Sequence, residues 1–540
     1  MGPGSDWGDV GLELRREAHF GDRVVTCFAD RPRTYHDMFM EAVRRYPDRE
    51  ALVCGSTRMT WRDVEYRSAA LARGLLARGL GHGTRIALLL GNCVEFPLAL
   101  LAAARIGAIV VPINIREQSP GVARAVRSSG ASVIVHEAGL ADLVPNDTDA
   151  PSLKWRVSRE PVESSIAFAD FVDEGDGPDI VEVNEEDTLL ILYTSGTTGT
   201  PKGVEFPHLG VVHSAMHSAI CAGLTCEDRS VIAIPLSFTG GVISAFSPLV
   251  RCAGTAILLP DFKAAAFLAT AAEERMTHTL MVPTMYELCL RQPDSERLDL
   301  SQWRMGVFGA APMPLATINR LAERWPTLRL ANSYGATEAG GPAVFMRSEE
   351  TVAHSDSVGR AFTCVSIAVM DESGRELPRG ETGEIWIAGP TVASRFWNDP
   401  EGTSREYRGG WWRSGDMATM DPDGRIRLVD RKKDMINRGG LKISSTQVED
   451  AIHEHPAVIE CAVVGRPDEV LGERAHAFVR SNEPGFTAES LKEFLRPKLA
   501  DYKLPDVIEV TREPLPRNVN GKILKRELRA TLAYSQAKTM

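Results

Sequence analysis

No hydrophobic run in this 540-residue chain is both long enough and clean enough to cross a membrane. Its most apolar stretch, Ile86 to Ile113, is interrupted by Asn92, Glu95, Pro97 and Arg105, so it reads as buried α/β core. Basic excess is also missing: 61 Lys and Arg stand against 72 Asp and Glu, a net charge of -11. That balance argues against a nucleic-acid surface, which needs clustered positive charge to displace counterions, and leaves only local basic pockets for small anions. The nine cysteines are scattered, odd in number and never in Cys-x-x-Cys pairs. They suit reduced thiols and imply no disulfide framework. Met1 to Asp9 is acidic, with neither a basic n-region nor an apolar h-region, so no secretory signal is expected and the location expected is cytoplasmic. There is no internal repeat and no low-complexity tract.

What is present points to a large α/β protein. A 44% hydrophobic content is ample for extensive cores, and the length exceeds one ordinary domain. From Ala51 onward, strand-like runs alternate with helical patterns: Met59-Thr-Trp61, the amphipathic Ser68 to Arg78, Arg85 to Leu90, Pro97 to Ile106 and Ala108 to Pro112. Ser132 to His136, Thr188 to Tyr193, Ala256 to Pro260 and His278 to Pro283 continue the series, which implies a largely parallel sheet. After about Val358 the texture shifts to shorter strands with Gly, Asp and Pro turns, as in Asp421-Pro-Asp-Gly424, predicting a β-rich subdomain over about 358–430. The charged run Asp430 to Asp434 is taken as the domain junction, dividing the chain into 1–432 and 433–540.

The run Tyr193-Thr-Ser195-Gly196-Thr197-Thr198-Gly-Thr-Pro-Lys202-Gly203 has the ingredients of a triphosphate cradle. Glycines let backbone N–H groups face an anion without Cβ obstruction, the hydroxyls add donors, and Lys202 adds a mobile positive charge. It is not a Walker A loop, because Pro201 precedes the lysine and Gly203 follows it. A plain surface loop accounts for glycine and threonine but not for a lysine set behind a proline after the apolar Leu189 to Leu192.

Further motifs follow in order: Pro235 to Gly241, Gly309-Ala310-Ala311-Pro312, Tyr334-Gly335-Ala-Thr337-Glu338, Trp412 to Asp416, Asp430 to Gly440 and Pro516 to Lys522. With these, roughly Thr34 to Arg529 resembles the adenylate-forming superfamily of acyl-CoA ligases, amino-acid adenylation domains and luciferases. The resemblance implies a large N-terminal domain with doubly wound sheets and a small mobile α+β C-terminal domain. It also implies ATP, Mg²⁺ and CoA as cofactors and a small-molecule carboxylic acid as substrate; homo-oligomerisation stays open.

By that resemblance Ser195, Gly196, Thr197, Thr198 and Lys202 would hold the β- and γ-phosphates, Thr337 the α-phosphate and Glu338 the Mg²⁺. Tyr334 would be the adenine platform, closed on the other side by Gly309, Ala310, Ala311 and Pro312, and Asp416 would accept both ribose hydroxyls. Arg431 would reach the ribose or α-phosphate as a forked donor, and Lys522 would bridge the incoming carboxylate and the α-phosphate. Lys433 matches the hinge position, and Gly440 would leave room for the pantetheine arm of CoA. Each assignment fits a reaction in which two repelling anions must meet at one phosphorus.

The acyl pocket is expected around Phe238, Thr239, Gly240, Gly241, Gly335 and Gly340. Phe238 stands where many acyl-CoA ligases carry histidine, and Thr239 where amino-acid-activating relatives carry the aspartate that pairs with the substrate ammonium. Without that anion an amino-acid substrate is disfavoured, and the paired glycines, Gly341 included, hint at space for a bulky hydrophobic or aryl acid. A second departure is Ser445, in place of the usual proline. The AMP-forming CoA ligase stands beside three alternatives: an enzyme specialised for one half-reaction, a ligase that loads a carrier protein, and a non-catalytic nucleotide-binding protein. His213, His217 and Cys221 recur at i, i+4 and i+8 as metal-capable residues on one helical face, but their apolar neighbours favour a packing helix.

Overall fold

The computed structural model describes residues 11–194, 201–517 and 523–537. It is a mixed α/β protein whose chain divides into two compact units, one formed by Met1–Ile367, Trp386–Arg413 and Asp423–Ile426, the other by Ala368–Ile385, Ser414–Pro422 and Arg427–Met540.

The first unit is built on two large sheets. In an eight-stranded sheet, Thr188–Thr194, Ile109–Pro112, Arg85–Leu89, Val133–His136, Trp155–Ser158 and Ile166–Ala167 run parallel in that spatial order. Lys202–Pro207 and Arg395–Phe396 extend it antiparallel at one edge. A nine-stranded sheet has the parallel core Arg329–Ala336, Met305–Gly309, His278–Met281, Arg229–Ile232, Thr255–Leu258 and Glu50–Cys54. Central strands such as Ile109–Pro112 and Val133–His136 are buried at every residue, which is why the sequence shows them as unbroken apolar runs rather than alternating patterns.

The alternation read from the sequence therefore marks true strands and helices, with one local difference. Trp61 does not continue a strand. Thr60 caps a helix spanning Trp61–Ala77: its hydroxyl accepts from the Asp63 N–H, and the Asp63 carboxylate accepts from the Thr60 N–H. This reciprocal capping box ends the strand Thr57–Thr60 one residue before the tryptophan, which is buried as part of the helix.

Between the large sheets and the end of the chain lies a five-stranded sheet of Ser366–Met370, Gly383–Ala388, Tyr407–Arg408, Trp411–Met420 and Ile426–Arg431. The last part of the second unit is a separate five-stranded sheet with three helices. Its strand Glu460–Asp468 alternates strictly: Cys461 and Val463 pack with Val448, Ile452, Leu491 and Leu495, whereas Ala462 and Val464 pack with Leu528 and Leu532. Helices Ser445–His453 and Ala488–Leu495 thus cover one face and helix Lys525–Ala537 the other. No helix among the described residues is long and apolar enough to cross a membrane.

Candidate active site

In the nine-stranded sheet, strand Arg229–Ile232 lies between Thr255–Leu258 and His278–Met281, all parallel. The chain crosses first to one side of it and then to the other, a topological switch, and in such sheets ligands usually bind outside the carboxyl ends of the strands at that point. Several predicted segments leave that edge. Pro235 to Gly241 follows Arg229–Ile232, Gly309 to Pro312 ends and follows Met305–Gly309, and Tyr334 to Glu338 ends and follows Arg329–Ala336.

Two of them touch. The Thr239 hydroxyl donates to the Thr337 hydroxyl at 2.9 Å, joining a residue expected at the acid to one expected at the α-phosphate. Thr239 is buried, and Phe238, half-buried, ends a turn in which its N–H donates to the Pro235 carbonyl at 3.2 Å. From Gly240 to Phe246 the helix widens to the π form, a local irregularity frequent at functional sites. Ala310 adopts a left-handed φ of 66° without being glycine, and Ala310, Ala311 and Pro312 are exposed. Tyr334 is buried, while Thr337 and Glu338 are half-buried in a turn closed by the Gly340 N–H on the Thr337 carbonyl at 2.9 Å.

The glycines have a different reason from the one expected. A Cβ on Gly340 would lie 2.0 Å from the Thr391 carbonyl oxygen, with φ at +79°, and one on Gly335 would lie 1.9 Å from the Gly341 carbonyl oxygen. Gly241 is hemmed in by the Pro235 carbonyl at 2.1 Å and Gly341 by the Ser244 hydroxyl at 2.8 Å. Close approach of neighbouring groups, chiefly backbone, demands glycine at these positions, so they open no space for an acid; Gly240 alone of this group meets nothing nearer than 3.5 Å.

Ser195, Gly196, Thr197 and Thr198 lie outside the described residues, but the strands flanking them pair directly, Thr194 opposite Lys202. The Lys202 ammonium forms an ion pair with Glu406 and sits 4.5 Å from the centre of the Phe396 ring, its side chain 9% exposed. Glu406, at the end of helix Pro400–Glu406, was not legible in the sequence, where it is one acidic residue among many.

In the second unit Arg431 and Asp416 meet, Nε to Oδ1 at 3.0 Å, and the Asp416 N–H donates to the Ser414 hydroxyl at 3.0 Å. Both predicted ribose contacts thus belong to one ion pair. Lys433 is exposed, yet partial desolvation by its neighbours pulls its pKa below the ordinary lysine value, against the opposing effect of Asp434. Arg529 donates to the Lys433 carbonyl at 3.3 Å and pairs with Asp434 at 2.6 Å, so the last helix grips the predicted hinge. Gly440 and Gly439 form the two-residue turn between strands Ile436–Arg438 and Leu441–Ile443, with φ of 89° and 59°. That turn requires left-handed residues, and no atom lies within 4 Å of where a Gly440 Cβ would be. Lys522 lies outside the described residues.

Residues 39–397 match the AMP-binding enzyme family and residues 447–522 the AMP-binding enzyme C-terminal domain. The chain belongs to the AMP-binding enzyme family. It is 36% identical over 490 residues to a feruloyl-CoA synthase of Amycolatopsis, covering 90% of this chain and 96% of the relative. It is 33% identical over 490 residues to a long-chain-fatty-acid–CoA ligase of Mycobacterium tuberculosis, covering 89% and 95%. Among solved structures, an anthranilate CoA ligase in complex with anthranoyl-AMP superposes with a TM-score of 0.85 at 25% identity, covering 93% of this chain and 98% of that one.

In this AMP-binding enzyme the His213, His217 and Cys221 face serves packing. His213 donates from Nδ1 to the Leu209 carbonyl at 2.9 Å and accepts the Phe28 N–H at 3.3 Å, and His217 stacks on Phe362 with ring centres 4.7 Å apart. Burial pushes the His217 pKa down to about 3, which keeps the ring neutral. Among the described residues one group, Glu17, His19 and Cys27, brings metal-capable atoms within 4.8 Å of one another. There the Arg31 guanidinium already bonds both Glu17 oxygens, at 2.9 and 2.8 Å, so the carboxylate is committed to an ion pair.

Proposed function

We propose that the protein is an AMP-forming carboxylic acid:CoA ligase that works through an acyl-adenylate on a bulky hydrophobic or aryl acid. The observation that carries this reading is the Thr239–Thr337 hydrogen bond at the carboxyl edge of the nine-stranded sheet. It joins the residue we assign to the acid to the one we assign to the α-phosphate, which supports a reaction between carboxylate and α-phosphorus. The acid-facing group is an uncharged hydroxyl, which offers a substrate ammonium no counter-ion. The names of relatives add support: ligases of ferulate, indoleacetate, anthranilate and long-chain fatty acids are among them.

In the first half-reaction a carboxylate oxygen of the substrate attacks the α-phosphorus of ATP, the bond to the β-phosphate oxygen breaks, and pyrophosphate leaves. In the second, the CoA thiolate attacks the acyl carbonyl and AMP leaves. We assign Lys202 with Ser195, Gly196, Thr197 and Thr198 to the outer phosphates, Thr337 and Arg431 to the α-phosphate, Asp416 to the ribose and Tyr334 to adenine. Lys522 bridges the two reacting anions, neutralising charge where it develops. Glu338 suits Mg²⁺: it is a hard carboxylate donor on a backbone fixed by the Ala393 N–H on its carbonyl at 3.0 Å, and a bound Mg²⁺ would neutralise phosphate charge there. We further assign 1–432 to adenylate binding and 433–540 to the moving part, with Lys433 as the hinge. All nine cysteines are free, which supports a reducing, cytoplasmic setting.

A panel of acids tests the substrate class. Ring-bearing and medium-chain acids are expected to give the highest kcat/KM for acyl-CoA formation, because apolar contact supplies their affinity. Preference for acetate or a free amino acid would refute it.

A further inference from the structure

Ser445, the departure from the proline usual in the resembling motif, is fully buried as the first residue of helix Ser445–His453. Its N–H donates to Asp430 Oδ2 at 2.5 Å and its hydroxyl to Asp430 Oδ1 at 3.2 Å. The same hydroxyl oxygen accepts from Lys525 Nζ at 2.8 Å, and that ammonium also pairs with Glu449 at 2.7 Å. One hydroxyl therefore points its proton at a buried carboxylate and its lone pair at an ammonium. It links the end of strand Ile426–Arg431, three residues before the hinge at Lys433, to the first residue of helix Lys525–Ala537, three residues after Lys522. Proline could make none of these bonds, since it has neither an N–H nor a hydroxyl. The helix itself does not ask for serine here, because proline is well accommodated at the first helical position.

We propose that Ser445 is a positioning residue for the adenylation half-reaction: its bridge from Asp430 to Lys525 holds the segment that follows Lys522 to the strand on the other side of the hinge while the adenylate forms, and it opens when 433–540 moves. The inference rests on the assignment of Lys522 to adenylation. Without the hydroxyl, Lys525 keeps Glu449, and Asp430 keeps the Arg431 N–H at 2.7 Å and the Thr446 hydroxyl at 3.2 Å on Oδ1, so the tie through Ser445 is lost while both ends keep partners; Ser445→Pro also takes the Ser445 N–H from Oδ2.

The test measures both half-reactions on the full-length protein: pyrophosphate exchange with acid and ATP, and acyl-CoA formation from synthetic acyl-adenylate and CoA. Ser445→Pro should slow exchange roughly tenfold, the worth of one hydrogen bond to a charged group, and leave the acyl-adenylate reaction within about twofold of wild type. Ser445→Ala, which keeps the N–H, should show a smaller loss in the same direction, and Ser445→Thr should restore exchange. Should Ser445→Pro fail to fold, Ser445→Ala and Ser445→Thr carry the comparison. Unchanged exchange, or equal losses in both half-reactions, would overturn the inference. Lys522→Ala separates the two failures: if it exchanges pyrophosphate normally the lysine assignment is wrong, whereas an inactive Lys522→Ala beside an unaffected Ser445→Pro sinks only the bridge.

Discussion

Replacing Lys522 with alanine is expected to slow acyl-adenylate formation by roughly 10²-fold or more, the scale of losing one preorganised charge at a developing transition state. A supplied acyl-adenylate should still be converted to acyl-CoA, because the charge at the α-phosphorus has by then been resolved. The two ends of the stretch carrying the lysine are held together. The Leu524 N–H donates to the Pro516 carbonyl at 2.8 Å, Arg517 and Ile523 pair as a β-bridge, and Lys525 is fixed to Glu449 and Ser445. Substitution at Lys522 therefore removes a charge from a stretch anchored at both ends by other residues, and the loss should read as chemistry rather than unfolding. Acid-dependent pyrophosphate exchange checks it; a mutant exchanging at the wild-type rate would remove the lysine from the mechanism.

The second large effect is expected at the hinge, and in the opposite half-reaction. Lys433→Pro should slow thioester formation by at least about tenfold, because proline fixes φ, pushes Lys432 away from helical dihedrals and costs on the order of 1–3 kcal/mol wherever the second conformation needs them. Adenylation should change far less. The Asp434 and Met435 N–H groups both donate to the Arg431 carbonyl, at 2.8 and 3.0 Å, a turn that proline at 433 also strains, so the split between the half-reactions, and not the size of either loss alone, identifies the hinge. Single-turnover measurement of each half-reaction tells the outcomes apart. Equal losses would mean general damage and no hinge at this residue.

How far the sequence could be read follows from how local each cause is. Parallel strands buried on both faces announce themselves as apolar runs, so Val133–His136 and Thr188–Thr194 fell where they were expected. Trp61 was misplaced because β-type residues dominated a window in which the deciding signal was the Thr60–Asp63 cap. The glycines near the acyl pocket were legible as glycines, but their reason was not: the Thr391 carbonyl beside Gly340 comes from 51 positions further along the chain. Glu406 lies 204 residues from Lys202, and no local pattern in either segment announces the pair. Ser445 was visible as a departure from the resembling motif, while its partners Asp430 and Lys525 emerged only once strand and helix were folded together. Motif chemistry was therefore readable from residue type and spacing, and the ties that position it were not.

The most direct test of the whole account is product stoichiometry with wild-type protein, an aryl acid it accepts, ATP and CoA, quantifying AMP, pyrophosphate and acyl-CoA together. The account predicts one of each per turnover, with pyrophosphate still released in a first turnover when CoA is withheld. ADP and phosphate in their place, or acyl-CoA formed from a supplied acyl-adenylate but never from acid and ATP, would contradict it.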